Sequence, residues 1–523
     1  MRDWIKRNKF PLVVAVSLIA IQSAVFVALA NGGAPGRIWS GTAFQNANDQ
    51  AIYIGYVEQV RDGALGLRNL YAPFPQKSFF HPFYVAVGLL ARLSRISSGG
   101  ALIVALWIAT ACTVFLLHAV SRHLAKSERE ASVATLLVVF CGGFGWVPLL
   151  WYHGHVSMFG GQIPDVNSQG FLFPTLFMGP HIPLAYGLLP YVLLSVWKSS
   201  ILQGTPSSRW SGWIAALVLT LICPYVIPIV VILLVASVVL NAKKLPSAAL
   251  WTHAAYGLFM ALGAVPHVWS FLANWESRGL LLENNLPLSP VWLWILVFCP
   301  WIFLAAVRLY RRCPIREEET WLVVWVVATV IVVLLPFQWD QKLITSWHAL
   351  LVWFGLPVLM PMWNWLARVR ILLVAAVGIM CVSSAYVVTR QLPFRPGSDI
   401  GLLPMYVLET DMQAWRWVEN NTRPDVRALC QDEFTGIWGA PFMQRSVWMG
   451  HPIDTPQFAE KMELLRTIPS MSSPDLVAFL DREAVGAILT SRQSQTDRYL
   501  AQLAGTPWHV AAQFGGSAVI VRE

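Results

Sequence analysis

KFPLVVAVSLIAIQSAVFVALANGGAPGRIWSGTAFQNANDQAIYIGYVEQVR, residues 9–61, joins two kinds of sequence. Residues 11–30 are an apolar run long enough to cross a bilayer as a helix. The part from about Ala51 to Val60 also reads as a helix, but a mixed one, and Asp49 stands at its head, a lone carboxylate close to a membrane surface. Apolar runs of roughly 16–25 residues recur as far as residue 389, each able to span a membrane. The 523 residues are 56% hydrophobic and only 12% charged, whereas a soluble domain carries about 25%. The chain therefore reads as a mostly α, polytopic membrane protein over residues 1–390. Residues 391–523 are mixed and charged and hold no spanning run.

The formal charge of +9 fits basic anchors at helix ends rather than nucleic-acid binding, because no basic stripe with interleaved aromatics occurs. Seven cysteines form no CxxC and no metal-ligand spacing. The run 11–30 follows the basic start MRDWIKRNKF, is long for a signal-peptide core, and reads as a retained anchor.

Lysine and arginine favour the cytoplasmic side. The N-terminus is expected inside, residues 31–100 outside, and SRHLAKSERE (121–130) inside. Runs 131–151, 173–197, 249–272, 291–310, 321–337, 346–366 and 371–389 continue the alternation. Residues 210–241, with Pro224 and Pro228 in the middle and basic flanks, read as a hairpin of two short helices. The sum is about eleven helices with the C-terminal part outside. Residues 81–100, short and interrupted by Arg92 and Arg95, read as an amphipathic helix lying on the outer surface.

With this topology the ionisable residues gather at the outer face, which suggests a site there. Asp49, Glu58 and Asp62 fall in the first loop, and His153, His155 and Asp165 in the second. Glu276, Arg278 and Glu283 lie in NWESRGLLLENN, and Asp340 and Lys342 in FQWDQK. His181, His267 and His348 stand near helix ends. Solvated loop charges are the ordinary reading for Glu58, Asp62, Glu276 and Glu283. Lys342 also fits a snorkelling lysine, and Asp49 a helix cap. HGH at 153–155 lacks a third metal ligand.

The layout resembles the GT-C superfamily of membrane glycosyltransferases, which includes protein O-mannosyltransferases, aminoarabinose transferases and oligosaccharyltransferases. Asp49 of NANDQAIYIGY matches the acidic position that opens the family's long outer loop. Residues 51–60, with Tyr53 and Tyr56, match its first surface helix, and SFFHPFYVAVGLLARL (78–93) a later one. Many relatives carry two adjacent acids here; this chain has Asp49-Gln50, so a mechanism that needs adjacent carboxylates is not expected. The resemblance implies a polyprenyl-phosphate-linked sugar as donor, a glycan, lipid or protein acceptor, and inverting transfer to an acceptor hydroxyl. Asp49 would be the base, its pKa raised by burial against the surface helix. Lys342, Arg278, His348 and His181, with His267 behind them, are candidates for the donor phosphate, where charge grows as it departs. Asp165 and Asp340 are candidates for a divalent metal or the acceptor, though hard metals need more oxygen ligands than these supply.

In the C-terminal part, 409–420, 456–468, 473–483 and 495–505 read as helices. Residues 426–431, 445–450 and 484–490 read as strands, and a closing hairpin turns at Gly515-Gly516. The expectation is a small α/β domain outside the membrane. Trp448, His451 and Asp454 of WMGHPIDTPQFAEK are candidates to touch a sugar or the membrane loops. Pro452 and Asp454 also fit a turn that caps the next helix at Thr455-Pro456. Compact loops fit a bacterial plasma membrane. Two other classes stay open: a lipid or solute transporter, disfavoured by the lack of an inverted repeat, and a non-catalytic membrane assembly subunit.

Overall fold

A computed structural model describes residues 8–43, 47–72, 78–151, 163, 165, 171–201, 206–243, 247–273, 291–334, 344–391, 405–452 and 454–522. Seven helices among them are long and apolar enough to cross a membrane: Lys9–Asn31, Ser98–Leu124, Pro224–Asn241, Ser247–Ser270, Val291–Tyr310, Trp347–Arg368 and Arg370–Thr389. Two shorter apolar helices, Pro82–Ser94 and Arg209–Ile222, accompany them. The protein is membrane-embedded and mainly helical. Its chain divides into two compact units: 1–25, 104–265 and 285–392 form the first, and 26–103, 266–284 and 393–523 the second.

The first unit is a helical bundle whose interior is rich in tryptophan; Trp301, Trp321, Trp325 and Trp353 are fully buried. Residues 210–241 break at Cys223, where Pro224 opens a short 3-10 turn before the helix Ile227–Asn241, as the missing proline N–H requires. Residues 131–151, expected as one span, are two pieces. The helix Glu128–Phe140 stops at Cys141 and a short helix, Trp146–Trp151, follows. The cause is the glycine-rich CGGFG. A Cβ on Gly143 would lie 1.7 Å from the Val297 carbonyl oxygen, so only glycine lets the chain approach the helix Val291–Tyr310 this closely.

One end of this bundle holds a closed ionic cluster. Arg308 donates to the Phe354 carbonyl (2.7 Å), the Pro314 carbonyl (3.0 Å) and Glu319 (2.7 Å). Arg316 donates to the other Glu319 oxygen (2.7 Å) and to the Leu124 carbonyl (2.6 Å). The basic stretch RRCPIREEE thus stitches helix ends together.

The second unit gathers the first loop and the C-terminal part. Strand β1 (Arg37–Trp39) pairs antiparallel with β2 (Tyr406–Leu408). A five-stranded sheet is built from β3 (Arg427–Cys430), β4 (Ser446–Val447), β5 (Val485–Thr490), β6 (Trp508–Phe514) and β7 (Ser517–Arg522), in the order β4-β3-β5-β7-β6. β4, β3 and β5 are parallel, while β5, β7 and β6 are antiparallel. β5, at the centre, is nearly all buried, which is why it reads as an apolar run. Gly515, with φ +56°, makes the β6–β7 turn. Helices Phe458–Thr467, Ser473–Arg482 and Gln493–Gln502 cover a core that includes Leu429, Trp448, Phe479 and Ile488.

A further helix, Glu433–Met443, was not expected from its two glycines and Pro441. It is capped by Asp432, which accepts from the Thr435 N–H at 2.7 Å. It packs on the first-loop helix Ala47–Arg61, where a Cβ on Gly55 would meet Pro441 at 3.4 Å. That contact joins the C-terminal part to the helix that carries Asp49.

Candidate active site

The helix Ala47–Arg61 turns Ala51, Ile54, Val57 and Val60 into the interior. Asp49, Tyr53 and Tyr56, spaced four and three residues apart, share one face and are each half-buried. Asp49 lies in the first turn, as the third residue of the helix and not as its cap; a carboxylate there is favoured by the helix dipole. The helix Pro82–Ser94 crosses closely at Gly88, where a Cβ would fall 2.3 Å from Val60. That approach brings Tyr84 into a stack with Tyr53 (5.1 Å between ring centres) and against Tyr56 (5.4 Å). Phe79 meets Tyr56 edge-on at 5.3 Å, and His81 lies 4.6 Å from Tyr84 and 5.6 Å from His267. An aromatic wall thus runs from the carboxylate to a pair of histidines. Burial, reinforced by the charges of Asp49 and Asp454, pushes the Tyr53 and Tyr56 hydroxyls well above their ordinary pKa, so they stay protonated.

The C-terminal part supplies the partner of Asp49. His451 Nε2 lies 3.0 Å from Asp49 Oδ1, and its Nδ1 lies 2.9 Å from Asp454 Oδ2. The His451 side chain is 3% exposed and the two carboxylates 28% and 27%. Two carboxylates facing both ring nitrogens require both to carry hydrogen. Burial alone would lower the His451 pKa, but the hydrogen bonds and charges of Asp454 and Asp49 outweigh it and raise the value to about 9. Asp49 therefore faces an imidazolium. With its nitrogens engaged on opposite sides, His451 does not converge with the two acids on one point, and no cluster of three or more metal-ligating side chains occurs among the described residues.

The other predicted residues lie elsewhere. Asp165, in the first unit, accepts from the backbone N–H groups of Gly143 (2.8 Å) and Gly145 (3.1 Å). It is fully buried, and burial raises its pKa in spite of those bonds. A Cβ on Gly145 would sit 1.7 Å from its carboxylate, so the glycines form its socket. His348 is buried among rings, 4.6 Å from Phe171 and 4.7 Å from Trp301. An apolar enclosure of this kind offers a phosphate no access. His181 begins the helix His181–Ile201 and is half-buried. Arg278, Lys342, Asp340, Glu276, Glu283, His153 and His155 lie outside the described residues.

Glu58, expected as a solvated charge, is buried and bound by Arg61 and Ser98, with Arg416 at 3.8 Å; burial raises its pKa. It fixes the far end of the Asp49 helix. Trp448 belongs to the core and donates to Glu483 at 2.9 Å. Asp454 does not cap the helix after it: Phe458–Thr467 starts after Gln457. Tyr71, not singled out in the sequence, packs its ring 5.9 Å from His451 and donates to the Ile437 carbonyl at 2.8 Å.

No model of a known protein family matches the chain, and no curated protein matches its sequence. Solved structures do match. The mycobacterial arabinofuranosyltransferase AftD superposes with a TM-score of 0.54 at 13% identity, over 98% of this chain and 41% of AftD. ArnT from Cupriavidus metallidurans, in the apo state, gives 0.50 at 12% identity over 97% of each chain. The oligosaccharyltransferase AglB of Archaeoglobus fulgidus gives 0.47 at 14% identity, over 96% of this chain and 72% of that one. The chain shares the fold of AftD and ArnT.

Proposed function

We infer that the protein is a glycosyltransferase that moves a sugar from a polyprenyl-phosphate-linked donor to an acceptor hydroxyl, with inversion, at the outer face of a bacterial plasma membrane. In this reading residues 1–390 form the membrane domain with a cytoplasmic N-terminus, and residues 391–523 lie outside. The observation that carries it is Asp49, a partly exposed carboxylate at the head of an aromatic-faced helix, on the fold that the sugar-transferring AftD shares. The acceptor hydroxyl hydrogen-bonds to Asp49, which takes its proton as the oxygen attacks the anomeric carbon. The sugar lies along Tyr53 and Tyr56, whose faces suit the C–H side of a pyranose or furanose ring. The polyprenyl phosphate leaves from the opposite face of the sugar, in line with the attack. Arg278 and Lys342, with His267 and His181, are the cations assigned to it, because preplaced positive charge stabilises a departing phosphate. His348 is left out because its ring is enclosed.

The test uses the full chain in lipid nanodiscs, with farnesyl-phosphoryl sugars of a hexose and pentose panel as donors and octyl glycosides as acceptors. The expected result is transfer with inverted anomeric configuration, lost in Asp49→Asn. Retained configuration, or transfer by Asp49→Asn above about a tenth of wild type, overturns the assignment, since base catalysis contributes about 10²–10⁴-fold.

A further inference from the structure

We propose that His451 is a positioning residue for sugar transfer: through its Nε2 it fixes the carboxylate of Asp49, and through its Nδ1 it is itself fixed by Asp454. The inference rests on the reading of Asp49 as the base.

Asp49 and His451 are 402 residues apart in the chain, so the contact exists only when the C-terminal part is seated on the first loop. The seating has ties of its own. The Val447 N–H donates to the Leu70 carbonyl at 2.8 Å. Asn69 donates to the Asp454 carbonyl at 2.9 Å, and Tyr71 to the Ile437 carbonyl at 2.8 Å. Tyr406 donates to the Leu29 carbonyl at 2.6 Å, beside the β1–β2 pair. His451 is therefore not needed to hold the two parts together, and a buried imidazolium bridging two partly exposed acids calls for another reason.

The loop that bears it is made rigid. A Cβ on Gly450 would lie 2.6 Å from the Tyr71 ring, and one on Gly436 2.1 Å from the Met449 carbonyl oxygen. The Gly450 N–H donates to the Thr455 hydroxyl at 3.2 Å, and the Thr455 N–H to the His451 carbonyl at 3.0 Å. The charged and titratable groups around the ring are Asp49, Asp454, Tyr71 and, through its charge, Glu433. A short side chain such as Asp49 has few rotamers, and a fixed N–H donor on one oxygen selects among them. The carboxylate then meets the acceptor hydroxyl already oriented, and misplacement of about 1 Å is enough to lower a rate about 100-fold. The assignment adds a residue of the C-terminal part to a reaction otherwise confined to the membrane domain and its loops.

The experiment compares His451→Leu, His451→Gln and His451→Asn in the full chain in nanodiscs, with the same farnesyl-phosphoryl donors and octyl glycoside acceptors. Glutamine keeps an N–H donor near the position of Nε2; asparagine places it near Nδ1 instead. The expected result is a kcat lower by about 10- to 100-fold in His451→Leu and His451→Asn, with the acceptor KM within twofold of wild type. His451→Gln should recover to within about fivefold. Asp454→Asn, which loosens the ring without removing it, should lower kcat by less than His451→Leu. Wild-type kcat in His451→Leu beside an inactive Asp49→Asn overturns the positioning role and leaves the base. Equal losses in the glutamine and asparagine variants also overturn it. Activity in Asp49→Asn overturns the base and this inference together. Where His451→Leu does not accumulate, the glutamine–asparagine pair decides.

Discussion

Two ionic clusters of the molecule use similar groups and end differently. In the first unit Arg308 is 0% exposed and Glu319 3%; both oxygens of Glu319 are taken, by Arg308 and Arg316, and the remaining guanidinium hydrogens go largely to backbone carbonyls. In the second unit the buried member is the imidazolium of His451, and its two carboxylates remain partly exposed. A cluster whose charged oxygens are enclosed can only hold structure. A cluster whose buried centre points outward to accessible carboxylates can hold structure and still present chemistry. Asp165 is buried like Glu319, but both of its glycine N–H bonds go to Oδ2.

The largest expected effect breaks the closed cluster. Glu319→Ala leaves Arg308 buried without its carboxylate, and removing one partner of a buried pair costs about 3–5 kcal/mol. Folded protein recovered in detergent, measured by fluorescence-detected size exclusion, should collapse. Asp49→Asn should behave in the opposite way, with wild-type recovery but transfer reduced by about 100-fold or more. Normal recovery of Glu319→Ala, or poor recovery of Asp49→Asn, would erase the distinction between the clusters.

That distinction was only partly legible in the sequence. Long apolar runs announce themselves by length, so the helices from Lys9–Asn31 to Arg370–Gln391 fall where the runs do. The alternating pattern of residues 409–522 likewise marks most of its helices and strands. The break at 141–145 was hidden because Cys-Gly-Gly-Phe-Gly stays apolar, and hydropathy does not register a close backbone approach. Glu433–Met443 was hidden because glycine and proline are poor helix formers and its stability comes from packing on Ala47–Arg61. Asp49 stood out as a lone acid, but nothing in the sequence links it to His451. Glu58 looked solvated because burial by Ser98 and Arg416 is decided by tertiary contacts far along the chain.

A smaller effect tests the open cluster through pH. The folded pKa of His451, about 9, lies above its unfolded value near 6.5. Its pairing therefore stabilises fully below about pH 6.5, and the contribution is lost as pH rises through about 9. The span is of the order of 3 kcal/mol at most. The thermal midpoint of the wild type should fall between pH 7 and 9.5 by more than that of His451→Gln, which has no proton to lose. Parallel curves for the two proteins would show that the imidazolium is absent from the folded state.

The smallest expected effect separates the carboxylate from the aromatic wall beside it. Tyr53 lies four residues after Asp49 on the same helix face and stacks on Tyr84. Its hydroxyl is a rival proton acceptor by position. Burial and the nearby charges of Asp49 and Asp454 raise its pKa well above the ordinary value, so at neutral pH it holds its proton and cannot serve as the base. Tyr53→Phe keeps the stacked ring and should change kcat by less than about threefold. Tyr53→Leu loses the stack, whose specific part is worth about 0.5–1.5 kcal/mol, and should raise the acceptor or donor KM by up to about tenfold with a smaller change in kcat. The split matters because a wall binds ground state and transition state alike, whereas a base acts only in the transition state. A kcat for Tyr53→Phe as low as that of Asp49→Asn would move the proton transfer from the carboxylate to the phenol, and the cluster around His451 would then be a clasp and nothing more.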